Sequence, residues 1–179
     1  KWTPLGTSVM PRSATWVSRV DNFLLGGDEQ QMDKDYQQTQ ALVAIQNGGI
    51  YGVGPGKSTQ RSILPYSESD FIYAIVLEEY GLLGGFSAIM FYLILLFRAV
   101  RISLKSESIF GSLVAIGLMF SLVFQAFINM LVSVEVIPVT GQTLPLISMG
   151  GTSIVFSCIA IGIVLSISRN SLEGEYEKA

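Results

Sequence analysis

The chain has 179 residues, half of them hydrophobic, yet only 14% are charged, against roughly 25% in ordinary soluble proteins. With no histidine and a single cysteine, Cys158, a disulfide framework and Ser–His or Cys–His hydrolysis within the chain are excluded. A net charge of −3 and a pI near 4.9 give no basic footprint for nucleic acid, and the aromatic and branched content excludes disorder.

Residues 15–25 space Trp16, Val20, Phe23 and Leu24 near helical intervals, with Arg12 and Arg19 alongside, which predicts an interfacial helix. Asp33 is placed to cap a second helix over 34–47, whose apolar residues are Tyr36, Leu42, Val43 and Ile45 and whose stop is Gly48-Gly49. The run Gly52-Val53-Gly54-Pro55-Gly56-Lys57-Ser58 is a loop by composition. Its end looks like a Walker A motif, but Tyr51 stands where the first glycine belongs and no buried strand precedes it, so nucleotide binding is not expected. Backbone approach to a membrane-borne phosphate stays open.

After Leu64-Pro65 a polar run from Tyr66 to Asp70 leads into the apolar stretch 71–77 and the pair Glu78-Glu79. Asp70 is the strongest acid–base candidate. A carboxylate beside an apolar run at a membrane edge costs desolvation unless it is paired or used, and desolvation moves carboxyl groups in general towards the basicity of a general base. A structural cap or surface acid is the other reading. Lys57 and Arg61 are close enough in sequence to partner it or to anchor an anionic substrate.

Charge then thins out: fifteen of the 25 charged residues lie in 1–81, five in 82–168 and five in 169–179. About 20 apolar residues span a bilayer, and three transmembrane helices are predicted at 82–101, 109–133 and 149–168. In the second, Gln125 and Asn129 at i and i+4 form a polar stripe, readable equally as helix–helix glue or as part of a substrate path. Residues 134–151, with Glu135, Pro138, Thr140, Gly141, Gln142, Pro145, Ser148, Gly150 and Gly151, suit a re-entrant or lumen-lining loop. Cys158 is expected only to pack.

Arg98, Arg101 and Lys105 outweigh Glu107, and Arg169 and Lys178 follow the last helix, so 98–107 and the C-terminus are expected in the cytoplasm. Residues 1–81 and 134–148 are then outside. The chain opens Lys1-Trp2-Thr3-Pro4, with neither a start methionine nor a signal-peptide pattern. It is therefore expected to be the C-terminal piece of a longer polytopic inner-membrane protein, with an extracytoplasmic loop of amphipathic helices over 1–81 and a membrane part over 82–179.

Three stretches carry a family resemblance. Tyr36-Gln37-Gln38-Thr39-Gln40-Ala41-Leu42 with Gly48-Gly49 is the first. The second is Ser58-Thr59-Gln60-Arg61, Leu64-Pro65, Asp70-Phe71-Ile72-Tyr73-Ala74 and Glu78-Glu79-Tyr80-Gly81. The third joins Gln125 and Asn129-Met130 to Pro138-Val139-Thr140-Gly141 and to the run from Leu144-Pro145 to Thr152-Ser153. Together they resemble the SEDS family (shape, elongation, division, sporulation) of bacterial membrane proteins. The last motif and the 36–42 segment are closer to its division members than to its elongation members. Tyr66 stands where the family has Glu, and Glu68 where it has His.

The resemblance implies an all-α, ten-helix peptidoglycan glycosyltransferase, of which this chain would be the last large outer loop and helices eight to ten. Its substrates would be lipid II and the growing glycan strand. Its partners would be a class B penicillin-binding protein, other divisome proteins and membrane lipid, with no nucleic acid. It implies Asp70 as catalytic residue and Arg61, Gln60, Lys57, Ser58, Gln40, Glu78, Glu79, Gln125, Asn129, Thr140 and Ser148 as substrate-binding candidates. No resident metal is expected, although a divalent cation, Mg or Mn, would be compatible with a leaving pyrophosphate. A lipid II flippase and a non-catalytic divisome scaffold are the rival functions, and the 179-residue chain alone is expected to be inactive.

Overall fold

The structure is a computed structural model and describes residues 32–59, 71–106 and 108–177. The helix expected over 15–25 lies outside them. The described residues are helical, without strands: α1 (Met32–Gly48), α2 (Ile72–Lys105), α3 (Ile109–Ser133) and α4 (Gly151–Glu177). Among the described residues, three helices are long and apolar enough to cross a membrane: α2, α3 and the Gly151–Arg169 part of α4.

α1 starts two residues before the expected 34 and ends where the glycine pair predicts, with Gly49 at φ 53° turning the chain out of the helix. α3 has the expected bounds. Ser108 caps it, its Oγ accepting from Gly111 N at 3.3 Å. A bond between the Ser103 and Ser112 hydroxyls ties the end of α2 to the start of α3. The span expected from residue 82 begins instead inside a longer helix that starts at Ile72 and breaks at Gly81 (φ 68°, ψ −166°). No other helical residue of α2 leaves helical geometry, so the break is local.

Small residues let the helices approach closely, as membrane helices require. Ala88 and Ala126 sit in one buried cluster with Tyr73, Leu77, Tyr92, Leu122, Met130 and Leu144, where α2, α3 and the 134–150 loop meet. Ala99 and Ala115 meet Met119 and Val164 nearer the opposite end. Ala41 and Ala44 of α1 close on Phe71 and Ala74. The outward faces carry Phe86, Phe97, Leu104, Phe110, Leu113, Phe156 and Leu165, all more than half exposed. In water such faces would be a liability; against lipid or further helices they are the expected surface. The Arg101 guanidinium carbon lies over the Phe97 ring, 5.3 Å from its centre.

The connectivity brings α1, the 49–59 loop, the first turns of α2 and the 134–150 loop to one end of the bundle. Tyr73, Leu77 and Leu144 share a cluster, and Val139 packs on Phe71, Ala41 and Ala44. The candidate site is at this end.

Candidate active site

The glycine loop owes its shape to the broken helix. At Gly81 the backbone enters a region essentially reserved for glycine, and a Cβ there would lie 2.3 Å from Ile50 O. A break in a membrane helix frees backbone groups that must find partners inside the protein. Here the loop supplies them. Val53 N and Gly54 N donate to Glu78 O and Glu79 O, both at 3.0 Å. Leu82 N and Leu83 N donate back to Gly49 O at 3.0 Å and Ile50 O at 3.4 Å. The approach leaves no room for a side chain at Gly52, whose Cβ would fall 2.2 Å from Glu79 O. The loop is thus a splint across the break. Two of the N–H groups a phosphate would need are already bound to helix carbonyls, and Lys57 N is bound to Gly54 O at 3.2 Å.

Glu78 is 1% exposed. Its carboxylate accepts from the Ser58 hydroxyl, from Thr59 N at 3.2 Å and from Thr59 Oγ1 at 2.9 Å. Both carboxylate oxygens are engaged, which offsets the desolvation of a buried acid. Glu79 is half-buried, Gln40 is half-buried on α1, and Lys57 is exposed. Asp70, Arg61 and Gln60 lie outside the described residues, as do Tyr66 and Glu68. The segment 60–70 that holds them runs between Thr59, held by Glu78, and Phe71, which is 2% exposed between Ala41, Ala44 and Ala74.

The polar pair of α3 faces the 134–150 loop. Asn129 Nδ2 donates to Gln142 O at 2.6 Å and Gln125 Nε2 to Thr143 O at 3.2 Å, while the Tyr92 hydroxyl donates to Pro145 O. Gln125 is eight residues before the end of α3, about 12 Å down the helix at 1.5 Å per residue. The loop therefore reaches about two turns down α3, and side-chain donors on α2 and α3 satisfy its carbonyls. Positive φ at Glu135 (58°), Gly141 (71°) and Leu146 (69°) makes the turns. Thr140 is half-buried beside Gln125 and Gln142 at a groove of about 290 Å³. Ser148 is 1% exposed, and its Oγ has no hydrogen-bond partner among the described residues.

An apolar groove of about 420 Å³ lies between the N-terminal half of α2 and the 134–150 loop, lined by Val76, Tyr80, Ser87, Phe91, Leu146 and Ile147 among others. Cys158 is exposed on α4, away from these groups. Tyr92 and Gly81 are absent from the sequence-derived candidates. A tyrosine in an apolar run reads as core, and a single glycine before Leu82-Leu83-Gly84-Gly85 reads as one of several.

The sequence model of the family described as "Cell cycle protein", FtsW/RodA/SpoVE, matches residues 7–173. The chain is 40% identical over 156 residues to "Stage V sporulation protein E" of Bacillus subtilis (strain 168), covering 87% of this chain and 42% of that protein. It is 40% identical over 149 residues to "Probable peptidoglycan glycosyltransferase FtsW" of Hahella chejuensis, covering 81% and 38%. A chain solved in "Structural coordination of polymerization and crosslinking by a peptidoglycan synthase complex" superposes with a TM-score of 0.66 at 25% identity, over 93% of this chain and 47% of that one. The chain thus spans about two fifths of the length of the curated relatives it matches. With the family model matching nearly the whole chain and three candidate spans among the described residues, the chain belongs to the FtsW/RodA/SpoVE family of cell cycle proteins and to a multi-pass membrane protein.

Proposed function

We propose that the protein polymerises lipid II into glycan strands on the outer face of the bacterial cytoplasmic membrane, as an FtsW-type division enzyme working with a class B penicillin-binding protein. The similarity to proteins named peptidoglycan glycosyltransferase FtsW supports the reaction class, and the similarity to a chain of a peptidoglycan synthase complex supports the partnership. One feature of the fold supports the site: the two anchors flanking segment 60–70, Thr59 and Phe71, stand at the same end of the bundle as the 134–150 loop.

In this reading Asp70 takes the proton of the acceptor sugar hydroxyl. The acceptor oxygen bonds to the donor anomeric carbon as the bond from that carbon to the lipid pyrophosphate breaks. Arg61, with Lys57 nearby, holds the departing pyrophosphate oxygens by charge-assisted bonds. Among the described residues no three His, Cys, Asp or Glu side chains gather to hold a metal ion. The positive-inside pattern supports an outward position for this end and a cytoplasmic one for 98–107.

A flippase needs polar groups free along an intramembrane path. Gln125 and Asn129 donate instead to loop carbonyls, which weighs against that alternative. The test is Asp70→Asn in the full-length protein with its penicillin-binding partner. General acid–base catalysis contributes on the order of 10²–10⁴-fold, so strand formation falls by at least about 100-fold while membrane insertion and partner binding persist. Parental rates for Asp70→Asn would remove the base from Asp70.

A further inference from the structure

The break in α2 exchanges hydrogen-bond partners without leaving any idle. In an unbroken helix Leu82 N would donate to Glu78 O and Leu83 N to Glu79 O, each four residues back. Here those two carbonyls take Val53 N and Gly54 N, both at 3.0 Å. The two N–H groups go instead to Gly49 O at 3.0 Å and Ile50 O at 3.4 Å. The loop thus stands in, donor for donor and acceptor for acceptor, for the two bonds that the helix lacks. If it left, Leu82 N and Leu83 N would find their own helix carbonyls, and no backbone group of α2 would be orphaned.

The loop is pinned at both ends and lightly held between them. At one end Gly48 lies so close to α2 that a Cβ would be 2.0 Å from Leu77 O. At the other, the Glu78 carboxylate holds Ser58 and Thr59. Between these pins Ile50, Tyr51 and Val53 are 60%, 82% and 39% exposed, so lifting the loop uncovers little apolar core. Gly81 can take either its present φ of 68° or a helical conformation, as glycine alone does without steric cost.

We propose that residues 49–57 are a reversible strap, and that α2 has two states: broken with the strap docked, and continuous with the strap released. The change turns the outer piece 72–80, with α1 packed on its Ala74, against the remainder of α2. Tyr73 and Leu77, buried with Tyr92 and Leu144, make the broken state the resting one. The proposal stands on backbone geometry and is independent of the reaction.

The experiment uses the full-length protein in lipid nanodiscs, in a background without other cysteines. Nitroxide labels on Gln46→Cys in α1 and Leu104→Cys near the far end of α2, both exposed positions, report the relation of the two pieces as a distance. Gly81→Ala disfavours the broken state, because alanine avoids this backbone region and its Cβ would lie 2.3 Å from Ile50 O. Gly52→Ala acts from the strap side, its Cβ falling 2.2 Å from Glu79 O, and leaves the sequence of α2 intact. In both variants a second distance, minor in the parent, gains about 10- to 100-fold relative to the first. Amide hydrogen exchange at Val53 and Gly54 quickens by about the same factor, while Leu82 and Leu83 stay protected. One unchanged distance in both variants overturns the proposal. So does exchange at Leu82 and Leu83 that rises with that at Val53 and Gly54, because the break would then only fray. The parent gives a reading even if neither variant folds: Val53 and Gly54 exchange at least about tenfold faster than Leu82 and Leu83, and equal rates would overturn the proposal.

Discussion

Glu78, Gln125 and Asn129 show what polar side chains do at the end of this bundle: each spends its hydrogen bonds on backbone or hydroxyl groups of a loop. The consequence can be measured at Asn129, which donates to Gln142 O at 2.6 Å. Asn129→Leu leaves that carbonyl without this donor at a cost of about 1–3 kcal/mol, seen as a lower unfolding temperature of the full-length protein in detergent. Arg61→Gln acts differently. If Arg61 holds the lipid pyrophosphate as proposed, a charge-assisted contact worth roughly 1.5–3 kcal/mol is lost, and lipid II binding should weaken by about 10- to 100-fold, measured by titration, without a lower unfolding temperature. At this scale the sequence was partly legible. The i, i+4 spacing of Gln125 and Asn129 marks one helix face, and the loop carbonyls that their donors meet are 18 and 13 residues away in the chain. Sequence spacing carries no information about such contacts.

Among the elements, α3 could be read from the sequence because Ser108 caps an uncharged apolar run of 25 residues that ends at Ser133. The start of α2 could not. Residues 71–81 look like the end of a loop because they carry Glu78 and Glu79, and only the packing of Tyr73, Ala74 and Leu77 against α1 and the 134–150 loop makes them helical. The break at Gly81 is likewise a tertiary feature, since it exists where the 49–54 loop can splint it. Gly81→Ala forces a glycine-only conformation and an overlap with Ile50 O, and should cost about 1–3 kcal/mol or more in thermal unfolding. Gly117→Ala, whose Cβ would meet nothing within 4 Å, should stay within about 1 kcal/mol of the parent. Equal effects of the two would show that the splint contributes nothing.

For the whole molecule, the three candidate spans of the described residues, connected by 106–108 and 134–150, fix which ends share a side, and the proposed topology takes the cytoplasmic side from the positive-inside pattern. In a Cys158→Ala background, a cysteine at Ser67 should react with a membrane-impermeant thiol reagent in intact spheroplasts, and one at Ser106 should not. The reverse would invert the topology and place the site on the wrong face for lipid II polymerisation. The most direct measurement is strand formation by the purified full-length protein with its penicillin-binding partner, supplied with labelled lipid II and resolved by product length. Long glycan strands are the predicted result. Lipid II left unpolymerised by a folded, partner-bound protein would contradict the account, most plainly if the same protein moved lipid II across sealed vesicles.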